Sequence, residues 1–108
     1  MEFLIRLFKS VSYENRLRIL ERLIQKGEVS LVPLANELKL PYKTVDRNTK
    51  ILERTGLVTH RTWSGIVYYS LADSPSLKYN HAIFDLIKMR LKAENNRVNF
   101  SLSRESEK

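Results

Sequence analysis

In the stretch PYKTVDRNTKILERTGLV, Pro41 to Val58, the side chains of Tyr42, Lys43, Thr44, Asp46, Arg47 and Lys50 fall on one expected helix that stops at Gly56. Val45 and Leu52, seven apart and supported by Ile51, face inward at helical spacing, so Lys43, Thr44, Arg47 and Lys50 are expected to project outward together. Arg and Lys so placed can meet phosphates or pair with guanine O6 and N7, and the Tyr42 hydroxyl can reach a phosphate. Asp46 is the awkward member. Beside phosphates it repels, but it can also accept from a cytosine N4 amino group or orient Arg47 or Lys50, and the sequence leaves these open. Taken alone, the helix reads first as the solvated face of an amphipathic helix, and it is the turn before it and the hairpin after it that favour a recognition helix.

A second candidate group follows the helix. Arg61 is placed for a phosphate contact. Trp63 is either a groove wedge or backbone contact, or an indole folded back over Ile66 or a helix. His60 and His81 lie on different elements with no cysteine anywhere in the chain, too few convergent ligands for a metal site within one chain. Only three glycines are present, none in a phosphate-binding loop, and no serine or carboxylate sits in a nucleophile setting, so neither an enzyme nor a cofactor is expected.

The elements that must hold these groups follow from periodicity. Leu4, Leu7, Phe8 and Val11 mark a short amphipathic helix over residues 2–10. Ser12 reads as the N-cap of a second helix carried by Leu17, Leu20 and Ile24 and stopped by Gly27. Ser30 reads as the cap of a third, with Pro33 tolerable in its first turn. Pro41 biases Leu40 away from helical geometry, so two helices are joined by about three residues, the spacing of a helix-turn-helix. After Gly56 the composition turns to Val, Ile, Thr, Tyr and Trp in Leu57–Trp63 and Ile66–Leu71, with Ser64-Gly65 between them as a two-residue turn. From Ser76 the helical period returns, with Ile83, Leu86, Ile87 and Leu91 on one side and Phe84 and Met89 on others, more apolar surface than one core-facing stripe needs. The expected class is mainly α with a small β-hairpin, a winged helix-turn-helix over residues 1–94, followed by a polar, flexible tail over 95–108.

Composition narrows the partners. The chain has 108 residues, 19 basic against 12 acidic, a net charge of +7 and a pI near 9.9, which favours a polyanionic partner. Zero cysteines remove disulfides, thiolate ligands and thiol-based sensing together. The first eight residues carry Glu2 and Arg6 and lack a signal-peptide pattern, so a soluble cytoplasmic protein at the nucleoid, with no membrane association, is expected.

The segments LFKSVSYENRLRILERLI, LANELKLPYKTVDRNTKILERTGLV and VYYSLAD, spanning Leu7 to Asp73, resemble the ArsR-like winged-helix repressors. The resemblance implies a homodimer joined through the first and last helices, here Leu4, Leu7, Phe8, Ile83, Phe84, Ile87 and Leu91. It also implies binding to an imperfect inverted repeat in double-stranded DNA, with recognition helices roughly 34 Å apart. Metal-sensing members carry a Cys-x-Cys pair where Ser30 and Val32 stand, and the alternative last-helix ligand set is absent around His81, so metal induction is not expected and any small-molecule inducer is unspecified. Asn48 replaces a frequent His, Thr49 a usual Leu and Asp46 a small hydroxyl residue, and the wing tip TWSGI lacks a basic residue. The competing expectation is a winged-helix module that holds a protein partner without binding DNA.

Overall fold

The computed structural model describes residues 1–73 and 78–106, with side chains through residue 97. Five helices and three strands follow in the order α1 (Glu2–Val11), α2 (Glu14–Lys26), β1 (Glu28–Ser30), α3 (Leu31–Leu38), α4 (Tyr42–Arg54), β2 (Val58–Trp63), β3 (Ile66–Leu71) and α5 (Lys78–Ser106). Mostly helical, with a small antiparallel sheet and a helix-turn-helix at α3–α4, this is a winged helix-turn-helix.

The core forms where apolar faces of the other four helices converge on α2. Ile19, Leu20 and Leu23 of α2 are fully buried against Leu7 of α1, Leu34 and Ala35 of α3, and Val45 and Leu52 of α4; Leu57, Val58, Ile83, Phe84 and Ile87 close it from the wing base and α5. Burial of such side chains is worth about 1.5–3 kcal/mol each before the entropy of ordering the chain is subtracted.

The joint between α3 and α4 is the expected three-residue turn. Lys39 adopts left-handed geometry at φ 56°, its N–H and that of Leu40 close onto the last turn of α3, and Pro41 at φ −61° leads directly into Tyr42. The wing turn is equally local. Ser64 and Gly65 both have positive φ, 53° and 79°, the pair of left-handed conformations whose twist matches an antiparallel hairpin. Trp63 therefore stands opposite Ile66, and Arg61 opposite Tyr68.

Three expectations are corrected. Ser12 does not cap α2: its hydroxyl donates to the Phe8 and Lys9 carbonyls, finishing α1, and Tyr13 occupies the N-cap position of α2. A serine between two helices can satisfy either end, and the free carbonyls of α1 lie within reach. The wing is not a bare hairpin, since β1 pairs with β3 to give a sheet of order β1-β3-β2. Three residues between Gly27 and a helix are too few to show a strand period. Finally, α5 does not end before Asn95: its backbone continues to Ser106, through a stretch with no Gly or Pro to stop it. Ser76, the expected start of the last helix, and the side chains of the expected tail beyond Arg97 lie outside the described residues. Among the described residues no helix is long and apolar enough to cross a membrane.

Candidate nucleic-acid interface

Helix α4 turns Val45, Asn48, Thr49 and Leu52 inward. On the opposite side Lys43, Arg47, Lys50 and Arg54 are exposed at i, i+4, i+7 and i+11, a single cationic face along the whole helix. Thr44 is not part of it: it is half-buried, and its carbonyl accepts a 2.8 Å bond from Asn48 Nδ2. Arg54 extends the face by one turn. Its i+11 spacing from Lys43 is visible in the sequence, although a position so near the helix end is easily taken for a C-terminal charge. Tyr42 is exposed at the first position of α4.

Asp46 lies on the flank toward the wing. Its carboxylate accepts from Lys50 Nζ at 2.9 Å and, more weakly, from the Tyr69 hydroxyl of β3 at 3.4 Å. Of the roles left open by the sequence, the geometry favours orienting Lys50; Arg47 is not among its partners. The Asp46 carboxylate raises the Lys50 ammonium above its ordinary range, so Lys50 stays charged. Burial raises the Tyr69 hydroxyl, and the Asp46 charge adds to the effect. Thr49 is fully buried and donates to the Asp46 carbonyl at 2.8 Å, so a polar residue at this core position satisfies itself within its own helix.

The wing residues are less free than their composition suggests. Arg61 reaches across Tyr68 to form a two-pronged pair with Glu28 of β1, at 2.7 and 2.6 Å, with its guanidinium 5.0 Å from the Tyr68 ring centroid. The Arg61 hydrogen bonds hold the Glu28 carboxyl below its usual range. Next to it, His60 Nδ1 bonds Glu53 of α4, joining the wing to the recognition helix. Trp63 stays 65 % exposed, and its cross-strand partner Ile66 is exposed as well, so the indole is not folded under the sheet.

One buried cation organises this end of the molecule. Arg16, at 8 % exposure, donates through Nε to the Ser10 carbonyl at 2.6 Å, through Nη1 to Asn48 Oδ1 at 3.3 Å and through Nη2 to the Lys9 carbonyl at 3.5 Å, and stacks 4.0 Å over Tyr13. It closes the C-terminal end of α1 and grips the middle of α4 at once. From sequence, Arg16 is simply a polar residue near the start of a helix; only the matching amide of Asn48, thirty-two residues on, marks its role.

The expected dimer residues divide. Leu7, Ile83, Phe84 and Ile87 are buried in this chain's own core, and Leu4 and Leu91 pack against it, while Phe8 is 60 % exposed. The apolar side chains left open on the terminal helices are Phe3, Ile5 and Phe8 of α1 and Tyr79, Leu86 and Met89 of α5. With Ala82 and Ala93, those of α5 recur at alternating intervals of three and four, a heptad seam that the denser core stripe masks in the sequence.

A helix with one cationic face, set by a tight turn and flanked by a three-stranded wing, defines a winged helix-turn-helix DNA-binding module. The profile of a helix-turn-helix domain family matches residues 11–61. An HTH-type transcriptional regulator of Methanocaldococcus jannaschii is 33% identical over 70 residues, 62% of this chain and 76% of that protein. A cadmium resistance transcriptional regulatory protein CadC homolog of Staphylococcus aureus is 29% identical over 68 residues, 63% of this chain; the chain spans 56% of that protein's length. The solution structure of a homodimeric winged helix-turn-helix DNA-binding domain from Mycobacterium bovis, a possible ArsR-family regulator, superposes with a TM-score of 0.71 at 24% identity, covering 89% of this chain and 84% of that one. The chain belongs to the helix-turn-helix transcriptional regulators, which are DNA-binding regulators rather than enzymes.

The Arg16–Asn48 contact is testable by a double-mutant cycle. Arg16→Ala is expected to destabilise the fold by about 1.5–3 kcal/mol, the range for a hydrogen-bonded charged group. Together with Asn48→Ala, it should show a coupling of at least about 0.5 kcal/mol in urea unfolding. Strict additivity of the two variants would mean that the bond contributes nothing.

Proposed function

We propose that the chain is a homodimeric, sequence-specific transcriptional repressor that binds an inverted repeat and does not respond to metal. The observation that carries the reading is the cationic face of α4. Lys43 and Arg47 stand in the N-terminal half of the helix, where a helix-turn-helix reaches base edges, and Lys50 and Arg54 continue toward phosphates. Asp46 serves this face by fixing the direction of Lys50, and Tyr42 offers its hydroxyl to the backbone. Two-fold pairing is supported by the unpartnered faces of α1 and α5, where Phe3 and Tyr79 already meet at 6.1 Å between ring centroids, and by the homodimeric state given for the Mycobacterium bovis domain. Cadmium belongs to the Staphylococcus aureus relative by name; here a chain without cysteine offers no thiolate for a soft metal. Such a regulator acts at the nucleoid in the cytoplasm, without cofactor.

A second reading, a module that docks a protein, is favoured by one feature. The wing tip presents Trp63 and Ile66 without a basic residue, beside an apolar groove of about 480 Å³ between α3 and the wing. Dependence on salt separates the two readings, because each phosphate contact contributes a log-log slope of about −0.9 to duplex binding.

Three outcomes are expected. With a duplex selected from a random pool, Arg47→Ala should weaken binding by about 1–3 kcal/mol, and an unchanged affinity at fixed salt would remove Arg47 from the reading set. Asp46→Asn should strengthen binding to any duplex at low ionic strength, an effect that fades as salt rises because it is screened; equal or weaker binding at low salt would mean that positioning Lys50 or contacting a base outweighs the repulsion removed. Leu86→Glu, placing a charge in the open seam of α5, should convert a dimer to folded monomers in sedimentation equilibrium. A dimer that survives the change would put the interface elsewhere.

A further inference from the structure

On the side of Arg16 away from Arg47, the second half of α1, the start of α2 and the last turn of α4 enclose a depression of about 370 Å³. Arg6, Lys9, Arg16 and Arg54 line it, with Tyr13 and Ile51, and among the described residues no acidic one does. Among the described residues Arg6, Lys9 and Arg54 take part in no ion pair. Four cations around one hollow repel one another, and no acidic side chain among the described residues is placed there.

Arg16 adds an independent observation. It is more than nine-tenths buried, yet each of its bonding partners is a neutral oxygen. The end of α1 contributes a partial negative charge, but a buried guanidinium without a full counter-charge is costly, and it has five N–H donors of which three are engaged. The stack on Tyr13 and the bonds to α1 and α4 hold it rigid, so a ligand would not have to order it.

We propose that this hollow is a binding site for a small free anion carrying phosphate groups. Arg16 forms the fixed floor, Arg6, Lys9 and Arg54 close as mobile arms, and Tyr13 and Ile51 supply the apolar wall. Three mobile cations over one fixed one suit a multivalent group better than a single carboxylate, and planar guanidinium forks match phosphate oxygens. The site joins α1, which carries part of the open apolar face, to the C-terminal turn of the cationic helix. An occupied site is therefore positioned to link the two. The assignment stands on the pocket itself and does not depend on the chain binding DNA.

The test is calorimetric titration with inorganic pyrophosphate at constant ionic strength. Wild-type protein is expected to bind saturably, one pyrophosphate per chain. Arg6→Ala/Lys9→Ala should lose about tenfold or more in affinity, the scale of lost charge-assisted contacts. The charge-matched Lys26→Ala/Lys88→Ala variant should bind like wild type. Absence of saturable binding, or equal weakening in both double variants, overturns the proposal. The same phosphate chemistry could arrive with the DNA backbone, so duplex affinity is measured on the same proteins. It should be unchanged in Arg6→Ala/Lys9→Ala, neither of which lies on the cationic face of α4, whereas a loss parallel to that for pyrophosphate assigns these cations to DNA and overturns the free-anion site.

Discussion

Two arginines on α2, two residues apart, do most to decide how the helices stand. Arg16 closes the carbonyl end of α1, and Arg18 Nη2 donates to the Leu38 carbonyl at 2.8 Å, closing the end of α3. The last carbonyls of any helix lack partners within it, and a cation there also meets the negative end of the helix dipole. Using one helix to satisfy the ends of two others fixes their angles as well as their contacts. The apolar core of Ile19, Leu20 and Leu23 supplies most of the driving force, but apolar burial is non-directional. Direction comes from the guanidinium forks.

The recognition helix inherits its pose from this frame. Its buried side mixes Val45 and Leu52 with Asn48 and Thr49, and each polar member is satisfied: Asn48 by Arg16 and the Thr44 carbonyl, Thr49 by the Asp46 carbonyl. Polar residues in a core cost stability unless paired, but paired ones set register more sharply than aliphatics do. At the other end of the helix Asn80 anchors the start of α5 through its Nδ2 alone, which donates to the Thr55 and Gly56 carbonyls at 3.2 and 2.7 Å, while its buried Oδ1 has no partner among the described residues.

Much of this was legible in the sequence. The helix-turn-helix followed from Pro41 and the stripe before it, and the hairpin from Ser64-Gly65 between β-branched and aromatic runs. Less was legible wherever one residue type serves two neighbours. Ser12 could finish one helix or start the next, and only the closeness of the α1 carbonyls decides. Ile83, Phe84 and Ile87 and the seam of Tyr79, Leu86 and Met89 are both apolar stripes on one helix, and which turns inward depends on where α2 lies. Arg61 looked free for a phosphate because Glu28, thirty-three residues earlier, comes alongside only when β1 joins the sheet.

That last pair has a mechanical meaning. β1 runs straight into α3, so the clasp between Glu28 and Arg61 rivets the wing to the threshold of the helix-turn-helix, while His60 and Glu53 fasten it to the far side of α4. Held at both jaws, wing and helix behave like a caliper locked at one opening. A double helix gripped by both would have to supply the compliance itself, and stiff or pliable base steps beside the site would then be told apart without a side chain touching them.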